Sequence, residues 1–158
     1  MQKLDVKHIN PFLQSCITIV ESTTMVKLTV GKPSVSDLQF EENTFLLQIG
    51  VTGVLKGQVL IVMSYDNARE IASKMMMGMP VETLDEMASS ALSELGNMIM
   101  GNTSTIFSTQ GIMMDITPPM AMMGAGFKMQ TDISTLKIPM LDGTNELINL
   151  YLCVAQED

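Results

Sequence analysis

No proline interrupts residues 83–107, and apolar side chains recur through them at helical spacing. A helix is expected from about Thr83 to Phe107. Placed at about 100° per step, Leu84, Ala88, Ala91, Leu92, Leu95, Met98, Ile99 and Ile106 share one arc, the expected core face. Thr83, Ser90, Glu94, Asn97, Gly101 and Ser108 fall on the opposite side. Gly96 and Gly101 lie inside the helix, each at a cost of about 1 kcal/mol relative to alanine. A reason for them is expected, such as close approach by a partner.

The rest of the chain supplies a sheet for this helix to cover. Asn10-Pro11 reads as the start of a first helix, running to about Leu28. Gly31-Lys32-Pro33 breaks it, and strands are expected over 34–40, 44–51 and 57–64, the last two joined by a short turn around Gly53. Asp66 is placed to cap a helix over 67–77. After the long helix come a short strand over 112–116, Pro118-Pro119, and a Met/Gly-rich segment over 120–127 that reads as loop. Two final strands, 133–141 and 146–155, flank the hairpin signal Asp142-Gly143. Strands grouped before and after helices predict an α+β fold with a mostly antiparallel sheet. The 158 residues carry no repeat or linker, so one domain over 1–158 is expected.

Composition excludes several functions. The net charge of -8 opposes binding to nucleic acid or to anionic membranes. No apolar run approaches the ~20 residues of a membrane span, and the N-terminal residues lack a signal-peptide core. A soluble, cytoplasmic protein is expected. Cys16 and Cys153 read as buried small hydrophobes, and His8, the single histidine, as a surface or helix-flanking residue. Such a set offers no zinc-ligand spacing. From 75 to 127 there is no Lys, Arg or His, while Glu82, Asp85, Glu86, Glu94 and Asp115 fall there. This stretch does not hold a bare phosphate with cations of its own.

Glu94 and Asn97 are neighbours on the exposed stripe of the long helix. A Glu-x-x-Asn match arises by chance roughly one time in three in a chain of this length, so the four letters alone decide nothing. Glu146-Leu147-Ile148-Asn149 is a second match. It falls in an expected strand, where side chains three apart point to opposite faces, and it is set aside.

The segment from Ser90 through Glu94-Leu95-Gly96-Asn97 to Gly101-Asn102 resembles the signature helix of the CheC/CheX/FliY family of response-regulator phosphatases, and its CheX branch most closely. The likeness extends to Ile9-Asn10-Pro11-Phe12, to Leu55-Lys56-Gly57-Gln58-Val59, and to the helix that follows. Pro118 and Pro119 stand near the spacing at which the family places a proline after the Asn. One usable motif rather than two is the CheX pattern.

The resemblance implies hydrolysis of the aspartyl phosphate of a CheY-type response regulator. The regulator supplies Mg2+ and a lysine, and this chain binds no cofactor of its own. Asn97 would orient the attacking water, since a carboxamide is a poor base but a good hydrogen-bonding group. Glu94 would contact the regulator's lysine. A hundredfold acceleration needs only about 2.7 kcal/mol, which positioning can supply. Ser90, Met87, Met100 and Gly101 are the candidate partner contacts; a solvated serine is the default reading of Ser90, and core filling that of the 17 methionines. The resemblance also implies a homodimer. Strands as apolar as 46–51 and 147–154 would be hazardous as free edges and would gain from pairing across it. The alternative reading is a non-catalytic adaptor of the same fold that binds a regulator or a flagellar-switch component.

Overall fold

Asp5, not Asn10, starts the first helix. In the computed structural model, which describes residues 4–156, the Asp5 carboxylate accepts the Lys7 N–H at 2.8 Å and caps α1, Val6–Thr24. Pro11 sits inside α1, where it removes one N–H but the helix continues. The helix ends four residues before the expected Leu28. Met25 turns left-handed (φ 66°) and donates its N–H to the Glu21 carbonyl at 2.9 Å.

The strands follow in chain order: β1 Thr29–Val30, β2 Ser34–Val35, β3 Leu38–Phe40, β4 Thr44–Gly53 and β5 Leu55–Ser64. The expected strand over 34–40 is thus two short strands in different sheets. The turn from β4 to β5 is made at Gly53, whose φ of 116° favours glycine. Next comes α2, Tyr65–Met75, capped by Ser64 Oγ on the Asn67 N–H; Asp66 lies in the first turn, paired with Arg69. The cap is two residues earlier than expected because Ser64 ends β5 in extended conformation, the geometry an N-cap needs.

The long helix is α3, Glu86–Thr109. It is followed by β6 Met114–Ile116, β7 Met120–Gly124, β8 Phe127–Met129, β9 Leu136–Asp142 and β10 Asn145–Gln156. The Met/Gly-rich segment is therefore not a loop: β7 pairs with β4, and β8 pairs with β3.

The main sheet has eight strands in the order β1-β9-β10-β5-β4-β6, with β2 on β9 and β7 on β4, and every pairing is antiparallel. The three helices cover one face, where Phe12, Phe45, Leu47, Ile61, Ile71, Leu92 and Phe107 are among the buried residues. The other face carries Leu46, Leu60, Val62, Tyr151 and Cys153, covered by the small β3–β8 sheet, with Phe40 edge-on to Tyr151 at 5.2 Å between ring centres. The fold is α+β with a mostly antiparallel sheet, a long helix, and two further helices. The apolar strands 46–51 and 147–154 are interior, not edges: β4 lies between β5 and β6/β7, and β10 between β9 and β5. Their apolarity comes from two-sided burial and offers no support for a dimer.

A groove between the long helix and the sheet edge

Asp85 opens α3, its carboxylate accepting the Ala88 N–H at 2.9 Å, with Glu86 in the first turn. Three contacts then fix the helix. A Cβ on Gly96 would stand 2.7 Å from Leu47 Cδ1, so α3 packs tightly on β4 there. Asn102 donates to Ser15 of α1 at 3.0 Å. Ser104 donates to the Met114 carbonyl of β6 at 3.1 Å. Gly96 is thus explained by the sheet behind it rather than by a partner. Gly101 is different: no atom lies within 4 Å of where its Cβ would be.

With the helix pinned through Gly96, the adjacent Asn97 faces solvent. Glu94 and Asn97 lie about 4.5 Å apart along the helix axis, both exposed. Neither side chain is bonded to another described residue. They line an open groove of about 560 Å3 together with Ser90, Ser93, Pro118, Pro119 and Met123. The groove also takes in Asp85 and Glu86 and no Lys, Arg or His. It is therefore a negative groove whose polar ends are free for an incoming molecule.

Neither cysteine nor the histidine lines this groove. Cys16 is fully buried on the inner face of α1, and burial pushes its thiol up to about 12. Cys153 is also free and buried, beside the Thr135 hydroxyl at 3.1 Å. His8, expected at the surface or flanking a helix, is buried within α1 beside the Phe107 ring, its centre 6.4 Å away. What the groove offers is an amide able to orient a water and a carboxylate able to meet a cation.

The candidate residues separate into two groups. Ser90, Glu94 and Asn97 share the groove. Met87 is exposed on the same side of α3, two turns before Glu94, and Gly101 is half-buried one turn after Asn97. Met100 is fully buried and is not available to a partner. It lies about 40° round the helix from Gly96, on the flank that Ser104 ties to β6. The same rotation leaves Ala91, Met98 and Ile106, expected in the core, only half-buried.

Sequence reading missed Met123 and Ser93. Met123 belongs to the segment read as loop, and only its pairing with Phe45 across β4 and β7 brings it to the groove. The second match behaves differently from expectation. A bulge between Glu146 and Ile148 places Leu147 and Ile148 both in the helix-side core, so strand alternation fails there. The charge of Glu146 reaches Tyr151 on the outer face, the face of Asn149. Asn149 is half-buried, its Oδ1 enclosed without a hydrogen-bond partner.

Comparisons with known proteins agree with this architecture. The family model for the chemotaxis phosphatase CheX matches residues 45–141. The chain is 32% identical over 152 residues to the CheY-P phosphatase CheX of Thermotoga maritima, covering 96% of this chain and 97% of that protein. Among solved structures it resembles the chemotaxis protein CheX from Desulfovibrio desulfuricans, with a TM-score of 0.81 at 18% identity over 96% of this chain and 100% of that one. It also resembles a chain of the CheX-CheY-BeF3-Mg2+ complex from Borrelia burgdorferi, with a TM-score of 0.80 at 24% identity over 98% of this chain and 100% of that one.

Proposed function

The chain belongs to the CheX family of chemotaxis phosphatases, and from that membership we propose that it hydrolyses the aspartyl phosphate of a CheY-type response regulator. The observation that carries the proposal is the pairing of Glu94 and Asn97 in one groove, both side chains unbonded. A relative is named a CheY-P phosphatase, and another protein of this fold is solved with CheY.

In this reading the α3 groove seats the regulator's active site. Asn97 donates to and accepts from the attacking water and holds it in line with the phosphorus, adding no charge of its own. Glu94 meets the regulator's lysine. Mg2+ belongs to the regulator, and the groove supplies no cation. Ser90, Met87 and Gly101 form the surrounding contact surface, and Met123 joins them from β7.

We also carry forward a cytoplasmic homodimer. No described helix is long and apolar enough to cross a membrane. The dimer edge we favour is β7, five residues without charge that pair only with β4 among the described residues. Light scattering at micromolar concentration tests the dimer.

The test of the activity is the decay of a phosphorylated CheY-type regulator with wild-type protein and with Asn97→Ala, binding being measured separately. Faster decay with wild type, lost in Asn97→Ala while binding persists, is the expected result. Binding without faster decay by the wild type overturns the enzyme in favour of the adaptor.

A further inference from the structure

One edge of β4 carries two strands end to end. At one end Gly53, Thr52 and Val51 pair with Met114, Asp115 and Ile116; at the other Gln48 to Thr44 pair with Met120 to Gly124. Between them Gly50 bonds to Thr117. Ile49 is therefore the single β4 residue opposite two, Pro118 and Pro119. The two prolines form a one-residue bulge in the edge. Proline has no N–H to give a neighbouring strand, so a bulged edge is where a sheet tolerates it. Both prolines line the groove with Glu94 and Asn97.

What holds the bulge is Thr117. Its N–H donates to the Gly50 carbonyl at 3.0 Å, and its Oγ1 accepts the Gly50 N–H at 2.8 Å. The hydroxyl thus stands in for the ladder carbonyl just where the backbone leaves β4. Gly50 leaves room for it: a Cβ there would stand 3.1 Å from Thr117 Cγ2 and 3.2 Å from Oγ1. As the residue before a proline, Thr117 is also biased to extended backbone. The two hydrogen bonds and this bias leave the prolines a single direction to follow.

We propose that Thr117 is a positioning residue of the docking groove, holding Pro118 and Pro119 as a fixed rim against which the regulator seats. This rests on the function proposed above. Thr117 touches neither the water nor the phosphoryl group; it acts through the rim. Loosening the rim weakens seating and leaves the Asn97 amide where it is. The signature of such a residue is a rise in KM at nearly constant kcat.

The experiment compares wild type, Thr117→Val and Thr117→Ser in decay of the phosphorylated CheY-type regulator over a range of regulator concentrations. Amide hydrogen exchange at Gly50 is followed in each protein. Thr117→Val is expected to raise KM about five-fold to ten-fold, the weight of one hydrogen bond, with kcat within about two-fold and faster exchange at Gly50. Thr117→Ser keeps the hydroxyl and is expected to restore both. Unchanged KM in Thr117→Val, a loss confined to kcat, or Thr117→Ser behaving like Thr117→Val each overturns the proposal alone. A wild type that accelerates no regulator overturns the functional reading, and this inference with it.

Discussion

Gly96 of α3 lies so close to Leu47 of β4 that a Cβ on the glycine would stand 2.7 Å from the leucine's Cδ1, with Ile61 and Ile49 next nearest. Leu47 is fully buried and cannot swing away freely. Five residues on, the space over Gly101 is open. The same substitution should therefore have opposite signs at the two sites. Alanine gains about 1 kcal/mol of helix propensity at either position. At Gly96 overpacking of about 1–3 kcal/mol outweighs it, so Gly96→Ala lowers the urea midpoint while Gly101→Ala raises it. If Gly101 lies under the regulator, Gly101→Ala also weakens binding despite its greater stability.

Glu94 stands in a groove lined by two other carboxylates and no cation. Glu94→Gln keeps the shape and removes the charge. Loss of a charged hydrogen bond of about 1.5–3 kcal/mol corresponds to a ten-fold to hundred-fold rise in KM. Attraction between unlike charges is screened by salt, so wild-type affinity should fall with ionic strength, and more steeply than that of Glu94→Gln. Equal salt dependence in both proteins would show that Glu94 meets no cation.

Met87 and Met100 separate contact from core. Met87 is 64% exposed and Met100 0%. Met100→Ala should cost about 2–5 kcal/mol in urea unfolding, whereas Met87→Ala should change stability by less than about 0.5 kcal/mol. If Met87 meets the regulator, the second variant shows its effect in KM instead.

Burial pushes the Cys16 thiol from 9.0 up to about 12. The thiol of the unfolded chain loses its proton first, near pH 9, while the folded protein still holds it. Stability from this group is complete below that pH and falls as pH rises toward 12. Cys153 and Tyr151 are shifted upward by burial as well, in the same sense. The urea midpoint should drop between pH 8 and pH 10.5, and Cys16→Ala, though less stable at neutral pH, should show a shallower drop.

The helices and long strands were legible because each carries one strong apolar signal. The apolar arc of α3 and the Val, Ile and Leu runs of β4 and β5 state their class and most of their extent. Boundaries were missed where a local signal competed with a stronger neighbour. Asn10-Pro11 looks like a start, but Asp5 caps first and the helix tolerates Pro11. Ser64 takes the cap that Asp66 was expected to make because it already ends a strand.

The helix half of the candidate site was legible; of the other half only Pro118 and Pro119 were, through the family resemblance. Glu94, Asn97 and Ser90 can be placed on one stripe by counting. The opposing rim exists only because β7 and the Thr117 turn pair with β4, some 70 residues earlier in the chain. No period marks Met120 to Gly124, whose glycine and exposed methionines read as loop. Met100, which a helical wheel alone leaves at the border of the exposed face, is fully buried in the structure.

Both sides of the groove are bolted to one strand. Leu47 receives α3 beneath Gly96, and Gly50 receives the rim through Thr117. These anchors are three residues apart on β4, about 10 Å along a strand. Set by covalent geometry, the gap works as a fixed caliper without a hinge. Such a protein does not clamp down on its partner: its backbone should be superposable to within about 1 Å free and occupied, and the work of fitting falls to whatever enters.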